Sequence, residues 1–474
     1  MIKYLRTISE LAVIYKIPVY IVGGAVRDKL LDKEVRDFDL VLKGDISQIK
    51  KISKEFSRRF NGDRFTLDSK RGVFRVIVDI KEFDYNQLRG RSIIEDLSKR
   101  DFTCNALAFP LFFEENKYNN KITINKSKII DPYKGIKDIK NKKIRILNKN
   151  VFVDDPLRLL RAVRFKFLLN FALTSDTRLQ ILRDKTHLQD VSGERINEEL
   201  NIILENFRSI EFIDFLEDEL GLLSVLIPEI NEMKKMGKCY YHKEDIWTHS
   251  KLLLKELDKI LNKDLLNLKE LKVDLSGELT NLRVAALFHD IGKVKTQQKT
   301  GGRISFPRHP ERGAEIMENH LKELRFSGKD IKFISDLIKL HMYPLQLFNN
   351  QKISNKAIYR FFRKAKNRTP AVCLLSAADV ISTRRLNGPY EEIDKYKSFI
   401  KKLLLNYRRW DEERQNILLD GKEIMTVFGL EEGPYIGELK EKLHRAQMQG
   451  IVKDRQSAID YLKKEIKENY NKYN

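Results

Sequence analysis

Apolar and polar positions change rhythm about a third of the way along the chain. Residues 8–17 carry apolar side chains at helical spacing and precede a β-branched run, Tyr20-Ile21-Val22, that stops at Gly23-Gly24. Asp37-Phe38-Asp39-Leu40-Val41 alternates like a strand, which puts both aspartates on one face and Phe38 on the other. Residues 43–60 follow as an amphipathic helical pattern, then Phe65-Thr66-Leu67 and the β-branched stretch 73–80 read as two more strands. Beyond residue 149 the period is helical: 153–165, 192–200, 202–227 closing at Pro228, 331–340, and onward to 467. The fold class expected is α+β. A head with a small mixed β-sheet and helices occupies 1–148, a helical neck 149–230, a third unit 238–385, and a helical tail 386–474.

Composition narrows the class. A chain of 474 residues, 42% hydrophobic and 33% charged, is too long for one core and implies about two to four soluble globular domains. The formal charge of +22 favours a polyanionic partner, although a lysine-rich composition alone produces the same sign. Cys104, Cys239 and Cys373 lie far apart, with neither metal-type spacing nor a disulfide framework, which fits a reducing compartment. No run reaches the roughly 18 apolar residues of a membrane span, so a cytoplasmic protein is expected. The Asn/Lys-rich stretch 117–128 reads as a long exposed loop.

The densest chemistry lies at 20–41. Glycines at 23 and 24 let backbone approach a ligand, with N–H groups at a helix start facing an anion. Two carboxylates on one strand face, Asp37 and Asp39, repel each other unless a cation sits between them, and hard oxygen ligands suit Mg²⁺ with substrate phosphates. Together, with Arg27-Asp28 between, they form the apparatus of phosphoryl or nucleotidyl transfer. The alternative is a glycine turn followed by a surface Asp pair. These residues resemble the nucleotidyltransferase superfamily, more narrowly the class II tRNA nucleotidyltransferases and the bacterial poly(A) polymerases. The resemblance gives Asp37 and Asp39 the catalytic Mg²⁺ and gives Gly23, Gly24 and Arg27 the triphosphate. On the strand 73–80, Asp79 is a candidate third carboxylate or an ordinary strand-end residue.

Further signatures follow in order. Lys99-Arg100-Asp101-Phe102-Thr103-Cys104-Asn105-Ala106 offers a guanidinium for phosphate, and Asp101 and Asn105 for ribose hydroxyls. It is similar to the second family signature, with Lys99 in place of an arginine, which implies that Arg100 and Asp101 contact the nucleotide. Asp131-Pro132 and Gly135 mark a turn that resembles the family's hinge between head and neck. In the neck, Asp154 or Asp155 can cap a helix whose first turn holds Pro156, and Asp155, Arg158, Arg161 and Arg164 fall on one stripe at i+3 steps. A solvated amphipathic helix is the plainer alternative. An Asp accepting from an amino group and an Arg donating to a ring nitrogen would accept cytosine and adenine and mismatch uracil and guanine. Each mismatch costs about 1–3 kcal/mol. The resemblance assigns base selection to Asp155 and Arg158, and nucleotide binding or helix support to Arg161 and Arg164. Ser192-Gly193-Glu194-Arg195 opens a helix and resembles a further signature, read as structural.

Histidine carries the second half. His249, the adjacent His289-Asp290, and Asp379 form a mixed nitrogen and oxygen set that suits Mn²⁺, Fe, Ni²⁺ or Zn²⁺. The ordered set resembles the HD phosphohydrolases. That makes these four metal ligands, sets His309 and His341 in an outer or second-metal position, and implies hydrolysis of a phosphate ester such as a damaged or cyclic RNA 3′ end. Arg384-Arg385, Lys401-Lys402 and Arg408-Arg409 give a basic tail that can track RNA backbone or simply face solvent.

The expected function is a tRNA nucleotidyltransferase that adds CCA or CC from CTP and ATP without a nucleic-acid template, releasing pyrophosphate. Family members that add the whole CCA end carry a flexible loop between the Asp strand and the second signature. Here 79–99 is compact, which resembles variants with a reduced loop, some of which add only C; full CCA addition is the first expectation and a stop after CC the alternative. The alternatives are a poly(A) polymerase, which would extend any RNA with A alone, and an HD phosphohydrolase with a degenerate head.

Overall fold

The structure is a computed structural model that describes residues 2–111, 128–204, 209–236, 244–271, 273–301, 303–350, 353–415, 418–448 and 451–473. Cys239 and the stretch 117–127 lie outside these residues. The chain divides into two compact units, Met1–Pro228 and Glu229–Asn474.

The first unit is built on a six-stranded sheet. Its chain order is α1 (Ile2–Ile14), β1 (Val19–Val22), α2 (Gly24–Leu30), β2 (Asp37–Leu42), α3 (Ile46–Phe60), β3 (Asp63–Asp68), β4 (Val73–Val78), β5 (Lys81–Gln87), α4 (Ile93–Ser98) and β6 (Ala108–Pro110). The strand order is β3-β4-β5-β2-β1-β6. Only β2 and β5 run parallel, in a register that sets Asp37 beside Glu82 and Asp39 beside Asp84. Alternation decides which face is covered. Phe38 stacks on Phe83 at 5.2 Å, and Phe83 meets Phe56 of α3 and Tyr4 of α1 edge-on, so this face carries the core. The opposite face keeps Asp37, Asp39, Glu82, Asp84 and Arg75 at least partly exposed. α3 starts on a capping box in which Asp45 accepts from the Gln48 backbone and the Gln48 side chain accepts from that of Asp45.

Then come α5 (Gly135–Lys140), β7 (Lys143–Ile144), α6 (Val151–Asp154), α7 (Arg158–Leu169), β8 (Ala172–Leu173), α8 (Ser175–Asp184), α9 (Gly193–Leu204), α10 (Ser209–Ile213) and α11 (Leu223–Leu226). The short parallel pair β7–β8 joins Lys143 to Ala172.

Three readings of the sequence need correction here. Residues 81–87, taken as part of a compact link, form β5, whose buried Phe83 and Tyr85 alternate with Glu82, Asp84 and Asn86. Asp79 is not on the face of the Asp pair. It occupies the β4–β5 turn at φ 55° and accepts from Tyr4 Oη at 2.5 Å. Asp155 caps no helix with its side chain. It ends α6 in extended backbone, and α7 begins only at Arg158.

The second unit is helical: α12 (Glu229–Met233), α13 (Ile246–Asn262), α14 (Leu279–Phe288), α15 (Lys293–Thr296), α16 (His309–Glu323), α17 (Gly328–Leu340), α18 (Tyr343–Asn349), α19 (Asn355–Ala365), α20 (Thr369–Asn387), α21 (Glu391–Gln415), α22 (Gly421–Phe428), α23 (Pro434–Met448) and α24 (Arg455–Tyr473). A hairpin of Gln298–Thr300 and Arg303–Ser305 interrupts it. Leu419, Ile424, Leu439, Leu443 and Leu462 form a separate apolar cluster under α22–α24.

Candidate functional site

In the first unit a cavity of about 570 Å³ opens between the end of β1, the start of β2, the loop after α4, and α7. Gly23 turns the chain at φ 70°, a region costly for any residue with a Cβ. A Cβ built there would stand 2.7 Å from Arg100 Nη1 and 3.3 Å from Asp39 Oδ2, so backbone, guanidinium and carboxylate converge. Asp37 and Asp39 both line the cavity, and among the described residues neither is hydrogen-bonded or ion-paired. Burial raises the Asp39 carboxyl above its ordinary range; Arg100 opposes the shift, while Asp84 and Asp37 add to it. Two carboxylates without partners, one desolvated, fit a hard cation.

The loop after α4 supplies the opposite wall. Asp101 is 5% exposed and accepts from the Phe102 backbone, Asn105 Nδ2, and Arg161 Nε and Nη2. Burial opposes its ionisation, yet Arg161 and these donors hold its carboxyl below the ordinary value. Asn105 Oδ1 in turn accepts from Arg27 Nη1 at 2.5 Å, and Arg27 pairs with Asp28 through Nε and Nη2.

α7 closes the cavity. Asp155, Arg158 and Arg161 line it; helical i+3 spacing accounts for the two arginines, while Asp155 reaches it from extended backbone ahead of the helix. Arg158 donates to the backbone oxygens of Lys99 and Val151. Arg164 falls one turn too far. Its Nε lies 3.2 Å from Glu199 and its guanidinium sits over Phe165, so it buttresses the wall instead of lining it. Arg195, read from sequence as part of a structural signature, also lines the cavity and donates to both oxygens of Asp155 at 3.1 and 3.2 Å. Arg36 and Arg89 are further cations of the lining that sequence reasoning missed; no local pattern marks them. Asp84, beside Asp39 on the neighbouring strand, does not line the cavity; bidentate pairing with Arg75 occupies its carboxylate.

The second unit gathers all the chemically informative histidines into one cluster. His249 (α13), His289 and Asp290 after α14, His309 and His341 at the ends of α16 and α17, and Asp379 (α20) form overlapping metal-sized groups. His309 and His341 therefore share metal-sized groups with His289, Asp290 and Asp379. Asp290 sits at the centre, with the Nε2 atoms of His289 and His309 each 3.2 Å from its oxygens. The Nδ1 atoms of His289, His309 and His341 face the carbonyls of Ala286, Phe306 and Ile338 at 3.0, 2.9 and 2.7 Å. That fixes the proton on Nδ1 and leaves three buried Nε2 atoms without a hydrogen-bond partner. Such a set fits a metal ion, and Glu244 beside His249 Nδ1 fits the outer carboxylate of a metal-bound histidine. Burial and the neighbouring His289 and His309 push His341 down to about 3. Burial also opposes protonation of His249, but Asp379 and Glu244 outweigh it and raise it to about 9. Gly292 is required by packing: a Cβ there would stand 2.0 Å from the carbonyl oxygen of His309.

Three family models match the chain in sequence: the Poly A polymerase head domain at 19–145, the probable RNA and SrmB-binding site of polymerase A at 170–234, and the HD domain at 247–384. A CC-adding tRNA nucleotidyltransferase of Thermus thermophilus is 31% identical over 450 residues, covering 93% of this chain and 92% of the relative. The chain belongs to the tRNA nucleotidyltransferase family. An A-adding tRNA nucleotidyltransferase of Deinococcus radiodurans is 28% identical over 94% of both chains. A solved CCA-adding enzyme of Thermotoga maritima, complexed with tRNA, shares the fold at a TM-score of 0.61, with 20% identity over 98% of this chain and 95% of that one. Family membership and the two carboxylate-bearing sites imply divalent-metal dependence. Among the described residues no helix is long and apolar enough to cross a membrane.

Proposed function

We propose that this nucleotidyltransferase joins CMP units from CTP to the 3′-hydroxyl of tRNA, with release of pyrophosphate. The observation that carries the reading is one cavity holding both the partnerless carboxylates Asp37 and Asp39 and the Asp155–Arg158 pair. Asp37 and Asp39 would hold Mg²⁺. When bound, Mg²⁺ makes the attacking hydroxyl more acidic and stabilises charge on the leaving group. Gly23 and Gly24 leave room for the triphosphate along the backbone, and Arg27 and Arg100 offer it guanidinium N–H groups. Asp101 and Asn105 orient the ribose, and Arg161 holds Asp101 in place. Asp155 accepts from the base amino group and Arg158 donates to its ring nitrogen, so side chains take the part of a template. Arg195 keeps the Asp155 carboxylate aimed into the cavity.

The product most consistent with the head is CC. Between Asp39 and Arg100 the chain runs through α3, β3, β4, β5 and α4 with only short turns between them. Relatives of similar identity include both CC-adding and A-adding proteins, the Thermus thermophilus CC-adding protein among them. CCA is the second reading, because adenine presents the same donor and acceptor as cytosine to Asp155 and Arg158. The test is to incubate tRNA lacking its CCA end with each NTP alone and with CTP plus ATP, then sequence the 3′ ends. A CC product with CTP, unchanged by ATP, is expected; a complete CCA end supports the second reading. Extension of any RNA by A alone would replace both with poly(A) synthesis.

The His/Asp cluster supports a second activity, hydrolysis of a phosphate ester at an RNA 3′ end or on a nucleotide. His249, His289, Asp290 and Asp379 would hold Mn²⁺, Fe, Ni²⁺ or Zn²⁺, with His309 and His341 completing the shell. The bound metal would supply an activated water. Metal analysis of the purified protein, with release of phosphate from a 2′,3′-cyclic nucleotide as readout, tests it.

These assignments place the nucleotidyltransferase head at 1–148, the neck at 149–230, the HD domain at 238–385 and the tail at 386–474. Buried free thiols at Cys104 and Cys373 are consistent with a cytoplasmic enzyme.

A further inference from the structure

A second cavity, of about 530 Å³, lies in the first unit between the turn before α5 and strand β7. Its lining is almost wholly basic or neutral: Lys134, Lys137, Lys143 and Arg145, with Tyr133 and Asn141. The one acid, Asp138, is 5% exposed and already committed, accepting from Arg145 Nε and Nη2 and from Thr103 Oγ1. Lys134, Lys137 and Lys143 have no acidic partner among the described residues. A lysine-rich chain scatters lysines over convex surface, where water solvates each one separately. Three in one concavity raise the local potential and focus it on a counter-anion.

Two connections say which anion. Asp138 and Arg145 both grip Thr103, through its hydroxyl and through its N–H, which donates to the Arg145 carbonyl at 2.9 Å. Thr103 lies between Asp101, which lines the catalytic cavity, and Asn105, so one short segment joins the two cavities. On its other side, Lys143 on β7 pairs with Ala172 on β8, inside the segment that matches the polymerase RNA-binding model. We infer that this cavity binds backbone phosphates of the RNA whose 3′ end occupies the catalytic cavity. The inference rests on the proposed transfer to tRNA and assigns Lys134, Lys137 and Lys143 to the RNA, not to the nucleotide.

The test compares full-length wild type with the triple variant Lys134→Gln, Lys137→Gln, Lys143→Gln, by tRNA binding without CTP across a salt series. A control triple on α3, Lys50→Gln, Lys51→Gln, Lys54→Gln, removes the same charge outside the cavity. Each lost phosphate contact lowers the slope of log Kd against log salt by roughly 0.7–0.9, so for three contacts a fall of roughly 2–3 and binding weaker by roughly fiftyfold or more near 0.15 M salt are expected. KM for CTP, and kcat at saturating tRNA, should stay at wild-type values. A wild-type slope in the cavity variant, or an equal fall in the control, overturns the inference. So does loss of inorganic triphosphate binding with tRNA binding intact, which would make the cavity a free polyphosphate site. Failure of the wild type to extend tRNA would defeat the transfer reading instead, because the binding comparison needs no turnover.

Discussion

Arg161 on α7 reaches back sixty positions to Asp101 and donates to the same oxygen, Oδ2, from Nε at 3.0 Å and Nη2 at 2.7 Å. The pair ties α7 to the loop that carries Arg100 and Asn105. Truncating one side leaves a buried carboxylate without its main counter-charge. Arg161→Ala should therefore cost about 3 kcal/mol in unfolding free energy, read from urea denaturation. The exposed substitution Lys50→Ala should cost almost nothing.

The same pair sets a pH dependence. The Asp101 carboxyl titrates lower in the folded protein than in the unfolded chain. Its stabilisation is complete above the unfolded pKa of about 4 and is lost as pH falls through the lower folded value. Urea midpoints measured from pH 5 downward should fall more steeply for wild type than for Asp101→Asn. Parallel slopes would show that Asp101 is not the group responsible.

Gly23→Ala meets two obstacles: backbone at φ 70° and a Cβ 2.7 Å from Arg100 Nη1. The backbone penalty alone is about 1–2 kcal/mol. Displacing Arg100 should lower kcat/KM for CTP by at least tenfold while tRNA affinity stays the same. Unchanged kinetics would remove the backbone of Gly23 from the site.

In the second unit, Gly292→Ala forces a Cβ against the carbonyl oxygen of His309. Bound metal per chain should drop by more than half, as it should in Asp290→Asn, while nucleotide addition persists. Full metal content in Asp290→Asn would show that the cluster is not the metal site.

Much of this was legible because its signal is local. Period-two alternation alone places Asp37 and Asp39 opposite Phe38, and i+3 spacing alone puts Arg158 and Arg161 on one stripe. What escaped is tertiary. Glu82-Phe83-Asp84-Tyr85 alternates too, but becomes a strand only by pairing with β2. Asp155 looked like a helix cap, and an arginine forty residues away engages its carboxylate instead. Arg164 fits the stripe in sequence, yet Glu199 draws it off the cavity. His309 and His341 could not be ranked against His249 from spacing, since the ends of α16 and α17 meet Asp290 only in the folded unit. The lysines at 134, 137 and 143 gain meaning only from the concavity they share.

The most direct measurement is CMP incorporation into tRNA lacking its CCA end, with labelled CTP and Mg²⁺, by wild type, Asp37→Asn and Asp39→Asn. Each substitution keeps the side-chain shape and removes a charge that, among the described residues, no hydrogen bond or ion pair engages. The expected result is incorporation by wild type and a loss of at least a thousandfold in both variants, with tRNA binding and urea midpoints close to wild type. Incorporation by either variant within tenfold of wild type would contradict the assignment of these carboxylates to the transfer site.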